Sequence, residues 1–120
     1  MPLPLVAAVM VHVLDHTQGL AWYEQAFPLA RRENSEEHDF EFLRLGGLQI
    51  EVVQADEKVS SGPSGTVVYW QVESITQEIL RLQALGAKLY RGPMRIGGNL
   101  SMCQLQDPWG NCIGLRGPTL

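Results

Sequence analysis

Leu105-Gln106-Asp107-Pro108-Trp109-Gly110-Asn111-Cys112-Ile113-Gly114-Leu115 places two alternating segments on either side of Asp107-Pro108-Trp109-Gly110. Proline fixes φ at the second position of that tetrapeptide and glycine can take φ > 0, so the stretch reads as a β-hairpin. Phe40-Glu41-Phe42-Leu43-Arg44-Leu45-Gly46-Gly47-Leu48-Gln49-Ile50-Glu51-Val52 has the same form. Sliding it by 63 positions lays Gly47 on Gly110, Ile50 on Ile113, Val52 on Leu115 and Glu41 on Gln104. A second offset, 59, lays Val13 on Val72, Asp15 on Ser74, Thr17 on Thr76 and Gln18 on Gln77. The chain therefore reads as one supersecondary unit used twice.

With 120 residues, 45% of them hydrophobic, the chain suits a single domain with one sizeable core. Module one is expected at 5–55, a hinge-like linker at 56–65 around Ser60-Ser61-Gly62-Pro63-Ser64-Gly65, and module two at 66–117. Nine basic against thirteen acidic residues give a net charge of −4, and no Lys/Arg run stands out. That balance argues against nucleic acid or an anionic membrane surface as partner and suits a cationic or neutral ligand. The N-terminal residues lack the basic and long apolar regions of a signal peptide, and no stretch is apolar enough to span a bilayer, so the expected location is the cytoplasm. Cys103 and Cys112 lie on opposite arms of the last hairpin without CxxC spacing, which in that compartment suits buried small hydrophobes over a disulfide or a zinc site.

In chain order, Val6–Val13 reads as a strand buried on both faces. Asp15 with Gln18 has the form of a capping box, and Leu20, Tyr23 and Phe27 follow at helical spacing until Pro28. Trp22 lies off that stripe, which places it at a rim or a subunit contact. Leu29–Glu33 is a short strand, and residues 34–38 form a polar turn. In the second half Thr66–Val72 is a strand, and Ser74 with Gln77 caps a helix carrying Ile75, Ile79, Leu82 and Leu85 and ended by Gly86. Lys88–Arg91 is a short strand and Gly92–Gly98 a loop, whose Arg95 is a solvated cation or a lid contact. Each half reads strand, helix, three strands.

The paired βαβββ modules, Leu20-Ala21-Trp22-Tyr23 in the first helix and the Asp107-Pro108-Trp109-Gly110-Asn111 turn resemble the vicinal oxygen chelate superfamily of glyoxalase I, bleomycin-resistance proteins and extradiol dioxygenases. The resemblance runs from about Val6 to Leu115. It implies an α+β fold in which two βαβββ modules form a cupped half-barrel sheet with helices outside and the ligand in the cup.

Enzymes of that family place metal ligands on the first and last strand of each module, which carries over to Ala8, Glu51, Val67 and Gly114. Glu51 alone offers a side-chain donor, so no metal and no cofactor is expected. His12 lies roughly 13 Å along the strand from Ala8, at ~3.3 Å per residue. His16 and His38 fall in polar turns and read as solvated. Strand alternation from the four positions turns Met10, His12, Glu51, Tyr69, Gln71 and Arg116 into the cup, with Trp70 facing the helices. The hairpin repeat adds Glu41 and Gln104, and Met102 two residues earlier. Glu51 either pairs with Arg116 or His12 or meets the ligand; Tyr69 either fills core or lines the site. The resemblance implies a metal-independent protein of the bleomycin-resistance kind that sequesters an aromatic or cationic small molecule, an antibiotic among the candidates, as a homodimer. The alternative is a glyoxalase I-like lyase or dioxygenase-type enzyme with a displaced or lost metal site, or with Glu51 as general base.

Overall fold

The computed structural model describes residues 6–35 and 40–119 and divides into two compact units, Met1–Ser61 and Gly62–Leu120. In the first unit the order is β1 (Ala8–Val13), α1 (His16–Ala26), β2 (Arg31–Ser35), β3 (Phe40–Leu45) and β4 (Leu48–Gln54). In the second it is β5 (Tyr69–Gln71), α2 (Ile75–Ala84), β6 (Lys88–Gly97), β7 (Leu100–Gln106) and β8 (Cys112–Pro118). Each unit is thus βαβββ, and the fold class is the α+β one expected from the repeat. The sheets run β1-β4-β3-β2 and β5-β8-β7-β6, with the first and last strands of each unit parallel and the other neighbours antiparallel.

Both helices start where a side-chain oxygen can take up otherwise unpaired backbone N–H groups. Asp15 Oδ1 accepts from Thr17 N at 3.0 Å and Gln18 N at 3.1 Å, and Ser74 Oγ accepts from Gln77 N at 3.2 Å. In α1, Leu20, Tyr23 and Ala26 are buried on the sheet, and Gly19 lets the helix come close: a Cβ there would fall 2.6 Å from Val13 Cγ2. In the second unit, Ile75 and Leu82 of α2 are buried together with Cys103, Leu105, Ile113 and Leu115. Along β7 burial alternates strictly, so one sheet face packs on the helix and the other stays open.

The last hairpin closes around a buried carboxylate. Asp107 Oδ1 accepts from Trp109 N at 2.8 Å and Asn111 N at 2.9 Å, while Oδ2 accepts from Asn111 Nδ2 at 2.9 Å. Asn111 Oδ1 in turn accepts from Gly62 N at 2.9 Å, which ties the start of the unit to its final turn. In β3–β4 the connection is only Gly46-Gly47, and Gly46, not the repeat-aligned Gly47, has φ 61°.

Several expectations are corrected. β1 begins at Ala8 and is not buried on both faces, because it is an edge strand with β4 alone beside it; Met10 is 54% exposed. Trp22 is not at a rim but in the core of its unit, edge-on to Tyr23 with ring centroids 5.0 Å apart. The second strand starts two residues later than expected and takes in Asn34 and Ser35, which leaves Leu29 exposed. The rest of the expected polar turn, including His38, lies outside the described residues. β5 is confined to Tyr69–Gln71. Residues 92–97 are not a loop but the second half of β6, whose pairing with β7 is interrupted by register shifts. Pro93 has no N–H to give, and the outer position of β6 is where a strand tolerates that.

Candidate functional site

In unit one the open sheet face carries Met10 and His12 of β1 beside Glu51 and Val53 of β4, since Met10 pairs in register with Glu51 and His12 with Val53. The equivalent pairing in unit two is Tyr69 with Gly114 and Gln71 with Arg116. Met10 and Tyr69 are 59 positions apart and Glu51 and Gly114 are 63, so the parallel ladders share one register. Glu51 is half-buried, and its Oε2 accepts from Gln49 Nε2 at 3.2 Å. The chain of polar contacts continues through Arg44, which donates to Gln49 Oε1 at 3.5 Å and to Glu33 Oε1 at 3.1 Å. Within unit one Glu51 thus takes Gln49, not His12, as its hydrogen-bond donor. Arg44 was missed by the repeat, although the two-residue turn at Gly46-Gly47 puts it opposite Gln49.

Glu41 does not share the face of Glu51. Leu43 pairs with Ile50, so Glu41, two residues from Leu43, lies on the helix-bearing side, where Arg32 bridges it at 3.3 Å to Glu24 of α1 at 3.0 Å. The cause is loop length. Two residues connect β3 to β4 and five connect β7 to β8, so the offset that aligns the outgoing strands is one residue out of register for the returning ones, which exchanges faces.

The pairing of β3 with β4 spans Leu45↔Leu48 to Leu43↔Ile50. Beyond it opens a pocket of about 590 Å³, lined by Phe40 and Glu41 of β3, residues 51–54 of β4, Arg32 and Asn34 of β2, and His16, Thr17 and Leu20 of α1. Glu41 and Glu51 both reach this pocket from their different faces. His16 is not simply solvated there: its N–H and its Nδ1 lie 3.2 and 3.3 Å from Gln54 Oε1.

In unit two the open face collects five of the expected residues. Gln104 pairs in register with Gly114 and Met102 with Arg116. Gln104 Nε2 donates to Tyr69 Oη at 2.7 Å, and the Arg116 guanidinium carbon stands 5.5 Å from the Tyr69 ring centroid. Gln71 is exposed beside Arg116. The Tyr69 ring lies over Gly114, where a Cβ would fall 2.6 Å from Cδ1 and 2.7 Å from Cγ. Arg95, in β6, donates to Gly98 O at 2.6 Å. Neither cysteine is poised as a nucleophile: burial pushes the Cys103 thiol up to about 11, and burial followed by the Asp107 charge raises Cys112.

The residues present do not fit a catalytic metal. Ala8, Val67 and Gly114 have no donor atoms, and the space beside Gly114 that a ligating side chain would use is filled by Tyr69. Among the described residues no three His, Cys, Asp or Glu side chains are grouped so that they could hold a metal ion.

Two βαβββ units with parallel first and last strands define the class, and the sequence agrees. The chain belongs to the Glyoxalase/Bleomycin resistance protein/Dioxygenase superfamily, whose family model matches residues 6–115. Among solved structures it is similar to the fosfomycin resistance protein FosX of Listeria monocytogenes, at 20% identity over 100% of this chain and 94% of that one, with a TM-score of 0.77. A virulence protein of Salmonella typhimurium matches at 16% identity over 99% and 100% of the two chains, TM-score 0.72. A glyoxalase/bleomycin resistance protein/dioxygenase family enzyme of Burkholderia phytofirmans matches at 16% over 93% and 97%, TM-score 0.69. At these identities the likeness concerns the fold. A comparison with curated proteins finds no match. Among the described residues no helix is long and apolar enough to cross a membrane.

Proposed function

We propose that this chain is a metal-independent small-molecule binding protein of the bleomycin-resistance kind, working in the cytoplasm as a homodimer and taking up aromatic or cationic compounds. The observation that carries this reading is the Tyr69 ring packed over Gly114, because it puts an aromatic surface where family enzymes place a metal ligand. The pocket of unit one supports the ligand class. Beyond the ion pair of Glu41 with Arg32, Glu51 supplies negative charge there; Phe40, Leu20 and Val53 supply apolar contact, and a mixed lining of that kind is usual for small-molecule sites. Support for the dimer comes from Leu89, Tyr90, Met94 and Ile96, all exposed along β6.

The test has two parts. Protein purified without chelator is assayed for bound metal, and a thermal-shift screen is run across cationic and neutral aromatic compounds. Substoichiometric metal together with a saturable shift is expected. Stoichiometric zinc, nickel, manganese or iron would favour the second reading, a glyoxalase I-like lyase or dioxygenase-type enzyme. That reading draws on Glu51, a carboxylate held in place by Gln49 and able to act as a general base. Light scattering at micromolar concentration tests the dimer, and a monomer there would count against it.

A further inference from the structure

We propose that the corner formed by Tyr69, Gln104 and Arg116 is a binding site for the oxyanion end of a small molecule, a carboxylate or a phosphate-type group. It is built wholly from unit two and shares the Tyr69–Gly114 contact with the reading above, on which it rests to that extent, while the acidic residues of that reading belong to unit one. Gln104 Nε2 donates to the Tyr69 hydroxyl at 2.7 Å. A phenol has one proton to give, and with its oxygen already accepting from an amide that proton is left for a further acceptor. Arg116 stands over the same ring, 5.5 Å from its centroid, on an exposed position of β8. Its guanidinium presents several donors in one plane, the geometry that suits carboxylates and phosphates.

Charge on this face selects the ligand. In a chain of net charge −4, the strand positions aligned with Tyr69, Gly114 and Arg116 carry Lys88, Arg91 and Arg116, and among the described residues they carry no carboxylate. Lys88 pairs with Gln106 and Arg91 with Gln104, which sets both cations in the rows of β7 that border the corner. A site for a cation would need the reverse. Gly114 completes the arrangement, since any side chain there would displace the Tyr69 ring and with it the hydroxyl. The corner thus holds one hydroxyl donor and one cation set over the same ring, above a floor with no side chain.

The experiment follows backbone amide chemical shifts of the whole chain during titration with methylphosphonate, inorganic phosphate or acetate. Ionic strength is held constant with chloride. Saturable shifts at residues 104 and 114–116 are expected, and the ranking of acetate against the two phosphorus oxyanions tells which source fits. Tyr69→Phe keeps the ring over Gly114 and removes only the hydroxyl, so it should weaken binding about tenfold, and Arg116→Gln at least as much. Lys58→Gln, which removes an equal charge from an exposed turn, should leave binding unchanged. Shifts that chloride reproduces, or equal losses in Lys58→Gln and Arg116→Gln, would overturn the site. Should Tyr69→Phe melt below the parent, the exposed Arg116→Gln decides the question by itself.

Discussion

Tyr69 and Gly114 face each other across the parallel β5–β8 ladder, and the tyrosine ring takes the space that a side chain on the glycine would need. Adding a methyl group there forces the ring off its place, because a Cβ 2.6 Å from Cδ1 is far inside contact distance. Gly114→Ala should therefore destabilise by about 1–3 kcal/mol, as overpacked sites do. In Tyr69→Ala the obstruction is gone, so the same methyl should cost much less. A double-mutant cycle by urea denaturation measures the coupling, expected at about 0.5 kcal/mol or more. Additive losses would mean that the two residues do not touch in solution.

A chelator should do nothing to stability. A ligand that binds only the folded state raises the melting temperature through RT ln(1 + [L]/Kd), so removing a tightly held ion lowers it. With alanine, valine and glycine at three of the four family positions, EDTA should leave the thermal transition where it was. A reproducible drop, reversed by one particular divalent ion, would show a metal site built from other residues.

Asp107 holds the final turn through three hydrogen bonds from Trp109 and Asn111, and it is 3% exposed. Asp107→Ala leaves those donors without their acceptor in a half-buried setting and should cost about 3 kcal/mol. Asp107→Asn keeps one acceptor oxygen and should cost less. Equal melting temperatures for all three proteins would remove the turn from the list of features that hold unit two together.

Much of this architecture was legible because local chemistry and tertiary structure agree. Asp15 and Ser74 cap the helices they were expected to cap, and the βαβββ order follows from alternation and turn residues alone. What escaped depended on information that no single stretch contains. Glu41 changed faces because hairpin loops of different length shift the register by one residue, which an alignment of outgoing strands does not reveal. Gly92-Pro93 and Gly97-Gly98 suggested a loop, yet an edge strand accommodates Gly92, Pro93 and Gly97, and only Gly98 falls in the turn to β7. Arg44 and Gln49 became visible as partners only with the β3–β4 pairing, and the meeting of Tyr69 with Gly114 required the parallel β5–β8 register.

Cys103 sets an alkaline limit. Burial raises its thiol from 9.0 to about 11, so the native state keeps the proton over a range in which the unfolded chain has lost it. The unfolded state then binds fewer protons than the native one, and stability falls as pH rises. The contribution is fully present below pH 9 and is lost between pH 9 and about 11, at most on the order of 3 kcal/mol. Urea midpoints measured across that window should fall more steeply for the parent than for Cys103→Ala, once each is referred to its own midpoint at pH 8. Parallel curves would show that the buried thiol is not the group responsible.

Glu51 is where ligand recognition and scaffold can be separated. Its Oε2 accepts from Gln49 Nε2 at 3.2 Å, and it lines the pocket beside residues 52–54. Glu51→Gln keeps the size and one acceptor oxygen for Gln49 while removing the charge, so the variant should remain folded, with a melting temperature close to the parent's. Cationic ligands should lose about tenfold or more in affinity, the scale of one charged hydrogen bond. Neutral aromatic ligands should suffer much less, because Phe40, Leu20 and Val53 still provide apolar contact. Calorimetric titration of one compound from each class, on parent and variant, gives the comparison. If the variant melts far below the parent and binds both compounds unchanged, Glu51 belongs to the scaffold through its chain of contacts to Arg44 and Glu33, and the acidic pocket loses its claim on the ligand.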